Sequence, residues 1–279
     1  MKGLLYSEDS SFYINGLRIS GVSSIDGNYN ISYQENTFLG YEGDPDLIQN
    51  SPASASFNID RAMISSDKPI VDLIGDTGFD GGIEYNGKVL NFESGYLNSY
   101  TISFSVNELP QTNIGISVYG EMGPNASRQI DKTDPTGIFI PSSSGISLNC
   151  DGRETNRVLS FNFTISPNRD PIYKIGSIYP CEVAYIKPIR NSFSVEMDVD
   201  DYEVKNVYDY IKTGIHQKSI TVTVRDSCET GKSIEYNFEK FHLVGESFTA
   251  DTENNTKVRL DYAMSSHNPP SIIYTNLDE

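Results

Sequence analysis

Along this chain apolar residues alternate with polar ones in short runs, the period-two pattern of half-buried β-strands. The stretch NFESGYLNSYTISFSVNELP, Asn91 to Pro110, sets Ile102, Phe104 and Val106 on one face. A related text, NFEKFHLVGESFTADTENN, returns from Asn237 to Asn255 with the same Asn-Phe-Glu opening. Leu243 stands where the first copy has Leu97, and Phe248 and Ala250 are the alternating residues. Each stretch is followed by a second alternating run ending in methionine, NIGISVYGEM to Met122 and TKVRLDYAM to Met264. Upstream, Phe57 and Ile59 match Phe193 and Val195 as the ends of alternating strands. Asn15-Gly16, between Phe12/Ile14 and Leu17/Ile19, predicts a two-residue hairpin turn.

Each half also carries one short helix signal. In the second, Asp200 is the cap, Glu203 follows three residues on, and Val204, Val207, Tyr208 and Ile211 keep helical spacing before Gly214. In the first, Ser66 is the cap, Pro69 fits the first turn, and Ile70, Val71, Leu73 and Ile74 form the apolar face ended by Gly75. Both halves therefore read strand, strand, short helix, strand, strand, strand, which predicts a mainly β chain built as a tandem duplication. The expected boundaries are 1–123, a Gly/Pro/Ser/Thr-rich linker over 124–144, and 145–279. The Pro-rich tail SSHNPPSIIYTNLDE is expected to be extended.

Between Ser23 and Ser51 the text is polar and turn-rich, with Gly27-Asn28, Gly40, Gly43 and Asp44-Pro45. A compact domain keeps a connection of this length for a use. Tyr29, Tyr33, Phe38, Leu39 and Tyr41 give it apolar mass with no local partner, so it is expected to order against a neighbouring subunit. The competing expectation is a surface hairpin with no role.

Charge narrows the function classes. The chain has 38 acidic and 21 basic residues, a formal net charge of −17, which disfavours a surface that grips nucleic acid or anionic lipid. Cys150, Cys181 and Cys228 are far apart and odd in number, so isolated thiols are expected rather than a disulfide frame or zinc knuckle. MKGLLYSEDSS lacks the apolar core of a signal peptide, and no apolar run reaches the ~18–20 residues of a membrane helix. A soluble protein of a cytosol-like compartment is expected.

Chemistry is sparse. His216, His242 and His267 share no metal-ligand spacing, and nucleophile-elbow, zinc-protease, P-loop and dinucleotide motifs are absent. Asp76, Asp80 and Glu84 do not match a calcium loop. Asp198, Asp200, Asp201 and Glu203 suit the positive end of the following helix. No catalytic, metal or cofactor site is expected. An acid-base hydrolase on a β scaffold and a carbohydrate-binding β-sandwich of a virion or cell surface are the rivals from other classes, and the absence of Trp counts against sugar binding.

The order of parts, with the SGYLNSYTISFSV text and the FYINGLRISGV opening, resembles the tail-tube family of tailed bacteriophages. That resemblance implies two packed antiparallel sheets with one flanking short helix, and a long hairpin loop reaching the adjacent subunit, once per half. In the first half the loop is 23–51, the helix Ser66–Ile74 and the closing strands 91–122. In the second they are 164–180, 201–212 and 233–264. It further implies a non-enzymatic virion protein, assembled in the host cytoplasm, whose trimeric (pseudo-sixfold) or hexameric rings stack into a tube through which DNA passes without specific binding. Terminator, baseplate or tip, and tape-measure proteins are the implied partners. A tail-tip or baseplate hub is the alternative within the class. From the charge, the lumen of such a ring is expected to be net negative, lined mainly by polar and acidic side chains from the sheet faces of both halves; the competing expectation puts the excess acid on the outer surface.

Overall fold

The structure, a computed structural model, describes residues 10–31, 33–36, 46–49, 54–63, 67–75, 78–85, 88–106, 108–123, 141–150, 153–198, 218–226, 231–249 and 256–276. Antiparallel strands dominate it, as the alternation requires. Asn15-Gly16 turns β1 (Ser10–Ile14) into β2 (Leu17–Ile19), with φ of 50° and 84° at the two turn residues. Both values are left-handed, as a tight hairpin turn requires. β3 (Val22–Asn30) pairs with β6 (Ser54–Ala62), and β4 (Tyr33–Asn36) pairs with β5 (Asp46–Gln49) beyond it. The stretch expected as a loop over 23–51 is therefore largely a hairpin arm.

The first-half helix is α1 (Lys68–Val71), continued by a 3-10 turn over Asp72–Ile74, with Ile70, Leu73 and Ile74 buried. Its N-cap is Asp67, not Ser66, and the Asp67 side chain caps nothing. The carboxylate turns inward to Arg61, 2.7 Å away, because a buried guanidinium must be paired. The expected second helix, 201–212, lies outside the described residues.

β7 (Phe79–Tyr85), β8 (Lys88–Ser105), β9 (Gln111–Val118) and β10 (Met122–Gly123) complete the first half. The second comprises β11 (Pro141–Cys150), β12 (Arg153–Thr155), β13 (Val158–Ile172), β14 (Glu182–Asp198), β15 (Lys218–Asp226), β16 (Ser233–Thr249), β17 (Lys257–Ser266) and β18 (Ser271–Thr275). β11 begins inside the expected linker. The Pro141 end is tolerated because the register with β15 shifts between Pro141 and Ile146, where the ladder is already interrupted. The 164–180 stretch, expected as a loop, continues β13 as far as Ile172, and the Pro-rich tail includes strand β18.

Pairing registers recur between the halves, strand for strand. Phe57 opposes Ile116 as Phe193 opposes Tyr262, and Ile14 opposes Gly81 as Cys150 opposes Ile220. Irregularities recur too. In β8, Glu93 and Ser94 together face Asp80 of β7, and in β16, Glu239 and Lys240 face Ser219 of β15. Ser94 and Lys240 both have positive φ, 55° and 63°. This bulge lets one long strand leave one sheet and enter another. Up to the bulge β8 pairs with β7 and β10, and past it with β9; β16 likewise passes from β15 and β18 to β17. A second bulge follows in each, at Asn98 and at Val244.

Two layers result. One is a continuous ladder in the order β3-β6-β9-β8-β13-β14-β17-β16; the halves join where β13 lies beside β8, from Ser160↔Ser105 to Ile165↔Tyr100. The other is split, β2-β1-β7-β8 over the first half and β12-β11-β15-β16 over the second. Apolar residues fill the space between. Phe12, Phe57 and Phe79 surround Phe92 in the first half, and Phe163, Phe193, Phe238 and Phe241 cluster in the second. Phe104 closes the seam, stacked on Phe161 at 4.8 Å and edge-on to Tyr236 at 5.9 Å.

Burial pushes the phenols of Tyr100 and Tyr236 well above their ordinary value, with further upward pushes from Asp67 and Tyr274, and burial also raises Tyr262. A phenol held neutral in the fold but free to ionise when unfolded favours unfolding as pH rises through the unfolded value, ~10. The protein is expected to hold its stability below that pH and lose it above. Base titration followed at the phenolate absorbance band would show these tyrosines ionising only together with unfolding; ionisation in a still-folded protein would contradict the burial.

Candidate assembly surface

The continuous ladder has one face against the core and one turned outward. Alternation sends Phe57, Ile59, Ile102, Phe104, Phe161, Phe163, Phe193 and Val195 inward, all of them buried. The intervening positions turn outward, and they are short and polar: Ser56 and Asn58, Ser99, Thr101 and Ser103, Asn162 and Thr164, Ser192 and Ser194. They bond to one another across the strands. Asn162 Nδ2 donates to Ser103 Oγ at 2.7 Å, Thr101 and Thr164 hydroxyls meet at 3.0 Å, and Asn113 Nδ2 and Ser24 Oγ donate to the two oxygens of Asp60. Charged groups are few on this face: Asp26 and Asp60 toward its first-half end, and in the second half Arg190, with Lys257 paired to Glu196 and Arg259 to Asp261. Satisfying one another laterally leaves these groups little pull on a passing ligand. The face is concave around Ser103, Asn162, Ser194 and Asp261, with a hollow of ≈ 480 Å³.

The two margins of this ladder are open among the described residues. β3 pairs only with β6, and β16 from His242 to Thr249 pairs only with β17. Unpaired strand edges of this length invite another strand.

The two hairpin arms share one register: Tyr33 opposes Gln49 as Arg169 opposes Tyr185, and Asn36 opposes Asp46 as Ile172 opposes Glu182. The second arm lies against the first half. The Arg169 guanidinium sits 4.4 Å from the Tyr185 ring centroid and 5.4 Å from that of Tyr96, and donates to Ile74 O and Gly75 O. Those carbonyls end the α1 turn, where a cation meets the negative end of the backbone dipoles. Tyr179, farther out, has its phenol pushed up by burial and by Glu121, Tyr29 and Glu93.

Of the residues expected at an interface, Tyr29 and Tyr33 are 50% and 55% exposed on the first arm, while Phe38, Leu39 and Tyr41 lie outside the described residues. His242 and His267 are exposed; Cys150 is buried and Cys181 exposed. Asp80 accepts from the Ser94 N–H, and Glu84 from the Tyr13 hydroxyl, so both serve the strands around them. Among the described residues no group of His, Cys, Asp and Glu is placed to hold a metal, and no helix is long and apolar enough to cross a membrane. A polar and acidic sheet face is expected from the sequence, but not which residues form it; the outward positions are Ser, Thr and Asn where an ordinary solvated strand face carries Lys and Glu. No protein-family model matches the chain, and the search of curated proteins finds no relative.

Proposed function

We propose that this chain is a structural subunit of a tubular assembly, two tube-type units in tandem. Its copies join edge to edge into rings, as the trimeric, pseudo-sixfold subunit of a bacteriophage tail tube would. The observation that carries this reading is the seam between β8 and β13. It joins two units of matching register edge to edge and leaves one open edge of each kind at the ends of the chain's ladder. A head-to-tail contact repeated around an axis closes into a ring. The concave face of hydroxyls and amides would line the channel. DNA binds proteins mainly through cations on its phosphates, and here cations are sparse, Lys257 and Arg259 on the strand beside the hollow being paired with carboxylates. Such a wall lets a duplex pass without holding it, and the role is mechanical rather than catalytic.

Negative-stain microscopy of the purified protein tests this reading. Stacked rings with a central channel are the expected result, and isolated rings would shift the reading to a tail-tip hub. Single chains at every salt concentration would remove both.

A further inference from the structure

We infer that the apolar groove at the β3 edge is the socket for Phe248 of a second copy of this chain; this rests on the ring reading above. The groove, ≈ 690 Å³, opens between β3 and the outer strands, with Ile25, Gly27, Tyr29, Ile83, Tyr85 and Leu90 on its walls. The second half shows what such a groove looks like when filled. There the register-equivalent positions are Phe161, Phe163, Ile165, Val222, Val224 and Tyr236, and every one is fully buried. Tyr100, Ile102 and Phe104 of β8 lie on the adjoining strand and are buried with them. In the first half, Tyr29, Tyr85 and Leu90 are exposed, and among the described residues no strand pairs with the outer edge of β3.

β16 is the register-equivalent of β8, and Phe248 takes the place of Ile102. It is 60% exposed, on an edge that pairs with no further strand among the described residues, while Ile102 is fully buried at the seam. Carrying the seam register across sets Phe248 opposite Gly27, where the seam has Ile102 opposite Phe163. The volumes compensate. The large ring moves from one strand to the other: Gly27 offers no side chain, the Phe57 ring already lies over it, 2.7 Å from where a Cβ would stand, and Phe248 would pack in the groove against that ring. The opposite faces of the strands agree as well. Asn28 falls opposite Ser247 and Asp26 opposite Thr249, matching the Thr164–Thr101 and Asn162–Ser103 contacts of the seam.

Cysteine pairs read this register directly. In a chain carrying Cys181→Ser and Cys228→Ser, the pair Asn28→Cys with Ser247→Cys is expected to form chain-to-chain disulfides on oxidation. The offset pair Asn28→Cys with Thr249→Cys sits too far apart for the ~4.4–6.8 Å Cα separation a disulfide needs. Phe248→Glu, on an exposed position, is expected to leave the melting of the single chain unchanged and raise the concentration needed for assembly by about tenfold or more. Rings that form normally with Phe248→Glu, and without the in-register disulfide, would overturn the socket and leave the ring reading standing. Absence of any assembly in the unaltered chain would overturn both.

Discussion

Arg61→Met is expected to destabilise the fold by about 3–5 kcal/mol, the cost of leaving a buried charge without its partner. Arg61 and Asp67 are both buried, with Nη1 2.7 Å from Oδ1. The other carboxylate oxygen, Oδ2, accepts from the Tyr100 hydroxyl at 2.8 Å and from Thr112 at 3.1 Å. Four elements meet at this point: β6, the start of α1, β8 and β9. In the second half the equivalents of Arg61 and Thr112 are Met197 and Val258, both buried in an apolar environment. Methionine therefore fits this backbone position, and the loss would come from charge rather than shape. Adding Asp67→Asn to Arg61→Met should recover part of the stability, since a neutral amide costs less to bury than a lone carboxylate. Urea unfolding of the two variants checks this. A loss below about 1 kcal/mol for the single variant would place the pair among weak surface ion pairs.

Replacing 31–53 by a short Gly-Ser turn is expected to abolish assembly while leaving the fold intact. Asn30 and Ser54 are opposed in the ladder, so a tight turn can join them, and shortening a loop changes its closure cost little. The second arm supplies the precedent, since its Arg169 reaches over the first half to Tyr96 and the end of the α1 turn. The first arm, with the same register and an exposed Tyr33, has no such seat within its own chain among the described residues. Melting temperature and sedimentation of the shortened chain separate the two effects; normal rings from it would show that the arm is surface decoration.

Local signals carried most of the elements. Asn15-Gly16 is a tight hairpin because its two residues tolerate positive φ, and the apolar positions of 69–74 mark one helical turn and a half. The recurring Asn-Phe-Glu text marked the strand that bends between sheets. The bend itself was hidden, because its left-handed residues are Ser94 and Lys240 rather than glycines. Gly27, read as part of a turn, lies inside β3, where its missing side chain makes room for Phe57. Asp67 was passed over for Ser66, since cap preference is local while the demand of buried Arg61 is not. The seam was illegible for the same reason: β8 and β13 meet through a backbone ladder, and nothing in either strand names the other. A polar lining was legible as a class, and its residues could have been read from the alternation, because the outward ones are too short and too neutral for an ordinary solvated face.

Light scattering at micromolar concentration tests the central claim, that copies of this chain join edge to edge into a closed ring. The expected particle has three times the 31.0 kDa chain mass, or a multiple of that. A particle of one chain mass at every concentration and salt would contradict it.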